Sequence, residues 1–116
     1  MAEVPQTTPP PPATIHAATL ASGASGAVEW GEQLTESEAA LRRQQGLDIV
    51  VRGPDEIVNQ RVARQIEAAV GPVSRPQPPH RERAGPAALP HFHQRSRSPG
   101  GHSFYETNKR KARKRK

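Results

Sequence analysis

Four of the five histidines lie close together in the C-terminal half of the chain, at His80, His91, His93 and His102. No carboxylate occurs between Glu82 and Glu106, although several arginines do. A magnesium-dependent nuclease needs oxygen ligands, usually Asp or Glu, and this stretch offers none. Two histidines with pKa values near about 6.5 can instead supply a base and an acid, with arginines beside the phosphate. The pattern is therefore compatible with metal-free cleavage of RNA, in which the 2′-hydroxyl of the substrate is the nucleophile.

The same residues allow three other interpretations. His91 and His93 alternate on an extended segment and can share one side, so they can bind zinc with His80 or His102 as a third ligand. The histidines can also be ordinary polar loop residues. Finally, the segment 95–99 has the Arg–Ser pattern in which phosphorylation cancels charge and weakens RNA binding.

The last eight residues form a basic segment, 109–116, in which only Ala112 is uncharged. Such a run is expected to stay unfolded, because neighbouring cations repel and nothing in it is expected to be buried. It can replace counterions on a polyanion, which makes RNA or DNA the expected partner. The predicted nucleic-acid-binding residues are Lys109, Arg110, Lys111, Arg113, Lys114, Arg115 and Lys116.

Charge and composition divide the chain. Residues 1–74 carry five basic and nine acidic side chains, whereas residues 75–116 carry twelve basic and two acidic ones. Hydrophobic residues make up 33% and aromatic residues 3%, with thirteen prolines and nine glycines. The absence of cysteine excludes disulfides and Cys-ligated metal sites. No apolar run approaches the length of a membrane span, and no secretory leader pattern occurs, so we expect a soluble, intracellular protein without a membrane partner.

This composition predicts a largely disordered chain with one small α+β segment. Residues 1–33 are expected to be a disordered Pro/Ala/Gly-rich linker, and residues 34–72 a helix–strand–helix core. Residues 73–108 are expected to form a Pro/His/Arg-rich segment with a short second strand at 102–106, and residues 109–116 a basic tail.

Local signals define that core. Thr35 and Glu38 fit a capping box, and Gly46 suits the left-handed residue after the helix. Residues 47–52 contain three consecutive β-branched residues, 49–51, and predict a strand, and an apolar stripe at helical spacing follows from Ile57 to Val70. Polar residues off this stripe, such as Glu67, are expected to be solvated.

The span from about residue 47 to residue 114 resembles the C-terminal tips of bacterial polymorphic toxins of the RHS type. The segments that carry the resemblance are 48–51, 65–72, 85–86, 89–92, 100–105 and the basic segment. Such tips are often nucleases, so the resemblance implies a catalytic site at His91, His102 and Tyr105. In that site His91 and His102 would be the acid–base pair, Arg95 and Arg97 would stabilise the phosphorane, and Tyr105 would orient the phosphate. No metal and no cofactor would be needed.

The sequence thus predicts a nucleic-acid-binding protein, with metal-free ribonuclease activity of a toxin domain as an extension. As a toxin it would have a protein inhibitor as a partner, and it would be cytoplasmic in a bacterium or delivered to a target cell. The alternative is a non-enzymatic, mostly disordered interaction protein, nuclear in a eukaryotic host. A small basic protein that coats nucleic acid is a third class.

Overall fold

The computed structural model describes residues 13–21, 27–79 and 87–115. Six strands and two helices occur in these parts of the chain. In chain order they are β1 (Thr14–Leu20), β2 (Val28–Leu34), α1 (Glu36–Gln44), β3 (Ile49–Arg52), α2 (Glu56–Ala68), β4 (His91–Phe92), β5 (Ser103–Tyr105) and β6 (Arg113–Lys114).

All six strands belong to one mixed sheet, in the order β4-β5-β3-β1-β2-β6. Strand β1 pairs antiparallel with both β2 and β3, and β4 pairs antiparallel with β5. The pairs β3–β5 and β2–β6 are parallel. The two parallel pairs join strands that lie more than fifty residues apart in the chain, so they bring the C-terminal third onto the sheet.

Both helices begin at side-chain caps. Thr35 and Glu38 form the capping box that the sequence predicts, with each side chain bonded to the backbone N–H of the other residue. The Asp55 carboxylate accepts hydrogen bonds from the N–H groups of Ile57 and Val58 at the start of α2. These bonds satisfy N–H groups that have no partner within the helix. Gly46 follows α1 with φ at 81°, a conformation that glycine adopts without strain.

The two helices cover one face of the sheet, which we call the helix-covered face. Side chains of α1 and α2 pack there against alternate residues of the strands. The buried apolar residues of this core are Ile15, Ala39, Ile49, Val51, Ala63, Ile66, Phe92 and Tyr105.

The opposite face carries a second, smaller apolar cluster and has no helix over it. Two irregular segments, 87–90 and 107–112, cross this face and contribute Leu89 and Ala112 to the cluster. The buried residues are Ala18, Val28, Val50, Leu89, Phe104 and Ala112, with Trp30 packed beside them. The sheet is therefore buried on both faces, by helices on one and by irregular chain on the other.

The expectation of a largely disordered chain is wrong. The segment read as a linker supplies β1 and β2, which pair with each other, and the basic segment supplies β6. Both stretches are poor in large apolar residues, but Ala17, Ala18 and Val28 are almost fully buried in the sheet. Small side chains on a central strand can be buried completely between neighbouring layers. A low content of large apolar residues therefore does not exclude a packed core.

The predicted helix–strand–helix elements lie where the local signals place them, as α1, β3 and α2. The short strand expected at 102–106 is β5. Within the described ranges, neither helix has the length and apolar character required to cross a membrane.

Candidate functional site

Three of the predicted histidines meet at one end of the sheet and form what we call the histidine cluster: His91, His93 and His102. The ring centroids of His91 and His102 lie 4.7 Å apart with the rings nearly perpendicular. His93 is more distant, at 6.3 Å from His91. The ring of Phe104 lies beside both members of the closer pair, at 5.4 and 5.1 Å. His80 lies outside the described residues.

Strand pairing explains why His91 and His102 meet. In the antiparallel β4–β5 pair, His91 is paired with Phe104. Both side chains therefore lie on the face of the sheet that the helices do not cover. His102 immediately precedes β5, two positions before Phe104, and two-residue spacing in extended chain places it on that same side. The pair therefore depends on the register between two strands of two and three residues.

Asp48 fixes the position of His102. Strands β3 and β5 are parallel, so Asp48, just before β3, lies beside His102, just before β5. One carboxylate oxygen, Oδ1, accepts a hydrogen bond from the backbone N–H of His102 at 2.8 Å and lies 3.2 Å from its ring Nδ1. An Nδ1–H that donates to Asp48 leaves Nε2 of His102 available for chemistry. Sequence reasoning missed Asp48, because 54 residues separate it from its histidine.

The environment of His91 favours the neutral imidazole. Burial, and then the positive charges of protonated His102 and His93, lower the pKa of His91 from 6.5 to about 4. Its Nδ1 lies 3.4 Å from the carbonyl oxygen of Leu89. At neutral pH His91 is therefore uncharged and can accept a proton, as a general base must.

A buried hydrogen-bond network supports the chain on both sides of the histidine cluster. Glu67 and Arg43 form an ion pair at 2.8 Å, and both side chains are completely inaccessible to solvent. Glu67 also accepts hydrogen bonds from Gln94, which follows β4, and from Ser103 of β5. Arg43 in turn donates to the carbonyl oxygen of Gly100. The network thus ties the 94–103 connection to both helices.

Glu67 contradicts the expectation that it would be solvated. Burial by itself raises the pKa of this carboxyl, but the hydrogen bonds from Arg43, Gln94 and Ser103, with the charge of Arg43, outweigh it and lower the pKa below its ordinary value. The carboxylate therefore stays ionised inside the protein. Helical periodicity does not predict the burial of Glu67. It places this residue beside the apolar stripe of α2, but it does not show that Arg43 of α1 packs against it.

Tyr105 does not join the histidines. Alternation along β5 directs it to the helix-covered face, where it is buried and its ring lies 5.5 Å from that of Phe92. Burial, and then the charge of Glu56, raise the pKa of its hydroxyl. The suggested role of Tyr105 in orienting a phosphate is incompatible with this position.

The two predicted phosphorane-stabilising arginines lie on the turn after β4. Arg95 and Arg97 are both exposed, and Arg97 has φ at 68° in this turn. The backbone N–H of Arg95 donates to the carbonyl oxygen of Pro72, which anchors the start of the turn. Both guanidinium groups are thus available to an anion from solvent.

The basic segment is not a free tail. Its one uncharged residue, Ala112, is 8% exposed and packs in the cluster of the opposite face. The N–H of Ala112 donates to Glu106 at 2.9 Å, and the next two residues pair with β2 as β6. The expectation that nothing in this run is buried is therefore wrong. The single alanine among the cations is the feature of the sequence that indicates a buried position.

Most cations in the described part of the basic segment nevertheless face solvent. Arg110 is partly buried and donates to the carbonyl oxygen of Ala88 at 3.2 Å. Arg113 pairs with Glu29 at 3.2 Å across the β6–β2 edge. The exposed members are Lys109, Lys111, Arg113, Lys114 and Arg115, while Lys116 lies outside the described residues. The segment therefore presents five exposed cations on a backbone that is anchored to the sheet.

The histidine cluster does not have the form of a metal site. Within the described ranges, no group of three or more His, Cys, Asp or Glu side chains is arranged to hold a metal ion. A zinc site at His91 and His93 therefore gains no support from the positions of these residues.

Comparison of the chain with protein-family models, with curated proteins and with solved structures found no match.

Proposed function

We propose that this protein binds RNA through its basic segment and cleaves it without a metal ion at His91 and His102. The observation that carries the proposal is the pair itself. A partly buried, neutral His91 lies 4.7 Å from a His102 that is oriented by a carboxylate. Two imidazoles in different environments are what an acid–base pair requires, because one must accept a proton while the other donates one.

In the proposed reaction, Nε2 of His91 removes the proton of the 2′-hydroxyl group, and the 2′-oxygen attacks the adjacent phosphorus. Protonated His102 gives its Nε2 proton to the leaving 5′-oxygen, and a 2′,3′-cyclic phosphate forms. Asp48 orients the ring of His102 by accepting from Nδ1, so that Nε2 points to the substrate in this proposal. The substrate must be RNA, since DNA has no 2′-hydroxyl group.

Positive charge supports the reaction at two levels. Arg95 and Arg97 are exposed on the turn that joins the two strands of the histidine cluster, and they stabilise the negative charge of the phosphorane. The basic segment neutralises phosphates farther along the strand. Each neutralised phosphate should steepen the salt dependence of binding by about 0.7 log units for a single strand.

The resemblance to polymorphic toxin tips extends this proposal to a biological role. An effector of that type acts on RNA in the cytoplasm of a bacterial target cell, and a protein inhibitor restrains it in the producing cell. The proposal that the chain is a mostly disordered adaptor is not retained, because the sheet and both helices form one packed unit.

The test is an RNA cleavage assay with EDTA present. The variants are His91→Ala, His102→Ala and Asp48→Asn, with His93→Gln as the matched control two residues from the pair. We expect each alanine variant to lose about 10²- to 10⁴-fold in cleavage rate, with a smaller loss for Asp48→Asn and little change in the control. Cleavage should also fall as the pH drops through about 4, where His91 takes up a proton.

Two results would contradict the proposal. One is RNA binding without any cleavage by the wild-type protein, which would leave a nucleic-acid-binding protein that is not an enzyme. The other is cleavage that both alanine variants retain, which would place the chemistry elsewhere.

A further inference from the structure

A pocket of about 380 Å³ opens at the end of β3, away from the histidine cluster, and we call it the Arg52 pocket. Its volume falls within the range of about 300–1,000 Å³ that is usual for small-molecule sites. Residues of four different segments line it, among them Thr14, Arg52, Gly53, Glu106 and Lys111. The wall thus combines one buried carboxylate with two cations.

The guanidinium group of Arg52 is held in place on two sides. Its Cζ atom lies 4.1 Å from the centroid of the Trp30 ring, a distance typical of stacking between a cation and an aromatic ring. Its Nε donates to Glu106 at 2.9 Å, and Glu106 is itself fixed by the N–H of Ala112. About 30% of the Arg52 side chain remains exposed. A planar, pre-positioned cation is therefore available at the pocket.

Trp30, which stacks on Arg52, also has neighbours of its own. The ring of His16 meets it edge-on at 5.0 Å, and Nδ1 of His16 lies 3.0 Å from the carbonyl oxygen of Gly31. The ammonium group of Lys114 lies 5.9 Å from the Trp30 ring centroid. The basic segment therefore passes directly beside this aromatic group, and Lys111 of the same segment reaches the pocket wall.

From this geometry we infer that the Arg52 pocket binds one unpaired nucleotide of single-stranded RNA. The base stacks on the exposed surface of the Arg52 guanidinium, and Lys111 pairs with a phosphate of the same strand. Arginine planes and aromatic rings are the usual stacking partners of unpaired bases, whereas a base inside a duplex is already stacked. The inference rests on the proposed function for the choice of RNA, and it adds a preference for single strands.

The Arg52 pocket is separate from the histidine cluster. His102 precedes β5 and Glu106 follows it, so the two sites lie at opposite ends of the same strand, about 13 Å apart at the usual rise per residue. One strand of RNA can therefore occupy both sites with different nucleotides. Binding at the Arg52 pocket does not require the histidines.

Trp30 provides the measurement, because it is the single tryptophan of the chain. Its fluorescence is followed while a single-stranded hexanucleotide is added in which every 2′-hydroxyl is methylated, so that it cannot be cleaved. We expect a saturable change in fluorescence. Arg52→Lys keeps the charge but removes the plane, and it should weaken binding at least tenfold. Arg64→Lys, on the exposed surface of α2, is the matched control and should bind as the wild type does.

A second variant guards against damage to the fold by Arg52→Lys. Lys111 is exposed, so Lys111→Glu reverses the charge at the pocket without removing a buried contact, and it should also weaken binding at least tenfold. The wild-type protein should bind the methylated strand in this way even if it cleaves no RNA, so a failure of the proposed cleavage does not decide the inference. The inference is overturned by the absence of a saturable change, by equal binding of a methylated duplex, or by wild-type affinity in Lys111→Glu.

Discussion

The two faces of the sheet differ in the elements that cover them and in the accessibility of their charged groups. The helix-covered face is closed by two capped helices and contains the completely buried Arg43–Glu67 pair. The opposite face is closed by the two irregular segments 87–90 and 107–112, and the histidine cluster and the Arg52 pocket lie at its margins. The comparison suggests that the first face supplies stability and that the second supplies sites that a polyanion can reach.

The two ion pairs show the same difference on a smaller scale. Arg43 and Glu67 have no exposed side-chain surface, and their remaining hydrogen-bonding groups are directed at protein partners. Arg52 and Glu106 also form a pair at 2.9 Å, but Arg52 keeps 30% of its side chain exposed. The Arg43–Glu67 pair connects chain segments inside the protein, whereas the Arg52–Glu106 pair positions a cation that solvent can reach.

The largest predicted effect concerns the helix-covered face. Glu67→Gln removes the charge that balances buried Arg43, and breaking one partner of a buried pair costs about 3–5 kcal/mol of unfolding free energy. Urea unfolding followed by circular dichroism measures the loss. Arg64→Ala, on the exposed surface of α2, should stay within about 0.5 kcal/mol of the wild type. If Glu67→Gln lost as little unfolding free energy as Arg64→Ala, the buried network would contribute no stability. The contrast between the two faces would then be wrong.

Substitutions on the opposite face should cost less unfolding free energy, although the irregular segments there are packed on the sheet. Ala112→Lys completes the run of cations and forces a long side chain into the second cluster, at a cost of about 1–3 kcal/mol. Asn108→Lys adds the same charge at an exposed position and serves as the control. Thermal unfolding and tryptic cleavage of the basic segment report the difference. Equal behaviour of the two variants would show that the segment is a tail after all.

The smallest effect is a pH dependence at the histidine cluster. The pKa of His91 is about 4 in the folded protein, below its ordinary value of 6.5, so the unfolded chain binds more protons between these values. The stability contribution is complete above pH 6.5 and is lost as the pH falls from 6.5 towards 4. Because the group is partly exposed, we expect a change on the order of 1 kcal/mol.

Melting temperatures measured across this pH range test the expectation. His91→Gln should flatten the curve, whereas His93→Gln, which removes only one of the smaller causes of the lowered pKa, should change its slope much less. A slope that His91→Gln preserves would assign the titration to another group.

Much of the helix-covered face could be predicted from local signals. The capping box at Thr35, the glycine at the end of α1 and the apolar stripe of α2 act over four residues or fewer, so they are visible in the sequence. Strands β1, β2 and β6 were missed, because their stability comes from partners elsewhere in the chain. A strand of small and polar residues carries little local signal when its neighbours complete the layer.

The candidate site shows the same division. His91 and His102 were identified from residue types and from the resemblance, but their contact depends on the register of β4 on β5. Asp48 was not identified, since only the parallel β3–β5 pair brings it to His102. The sequence pattern groups Tyr105 with the histidines, but alternation along β5 places it on the helix-covered face.

The sequence by itself determined the helices, the central strand, the charge asymmetry and the presence of several histidines and arginines in the C-terminal half. Only the tertiary structure decided which of these groups meet, that the basic segment is anchored through Ala112, and that Glu67 is buried. The physical reason is the range of the interactions. Caps and periodicity are encoded within a turn or two of chain, whereas pairs such as Asp48–His102, 54 residues apart, exist only once the sheet has formed.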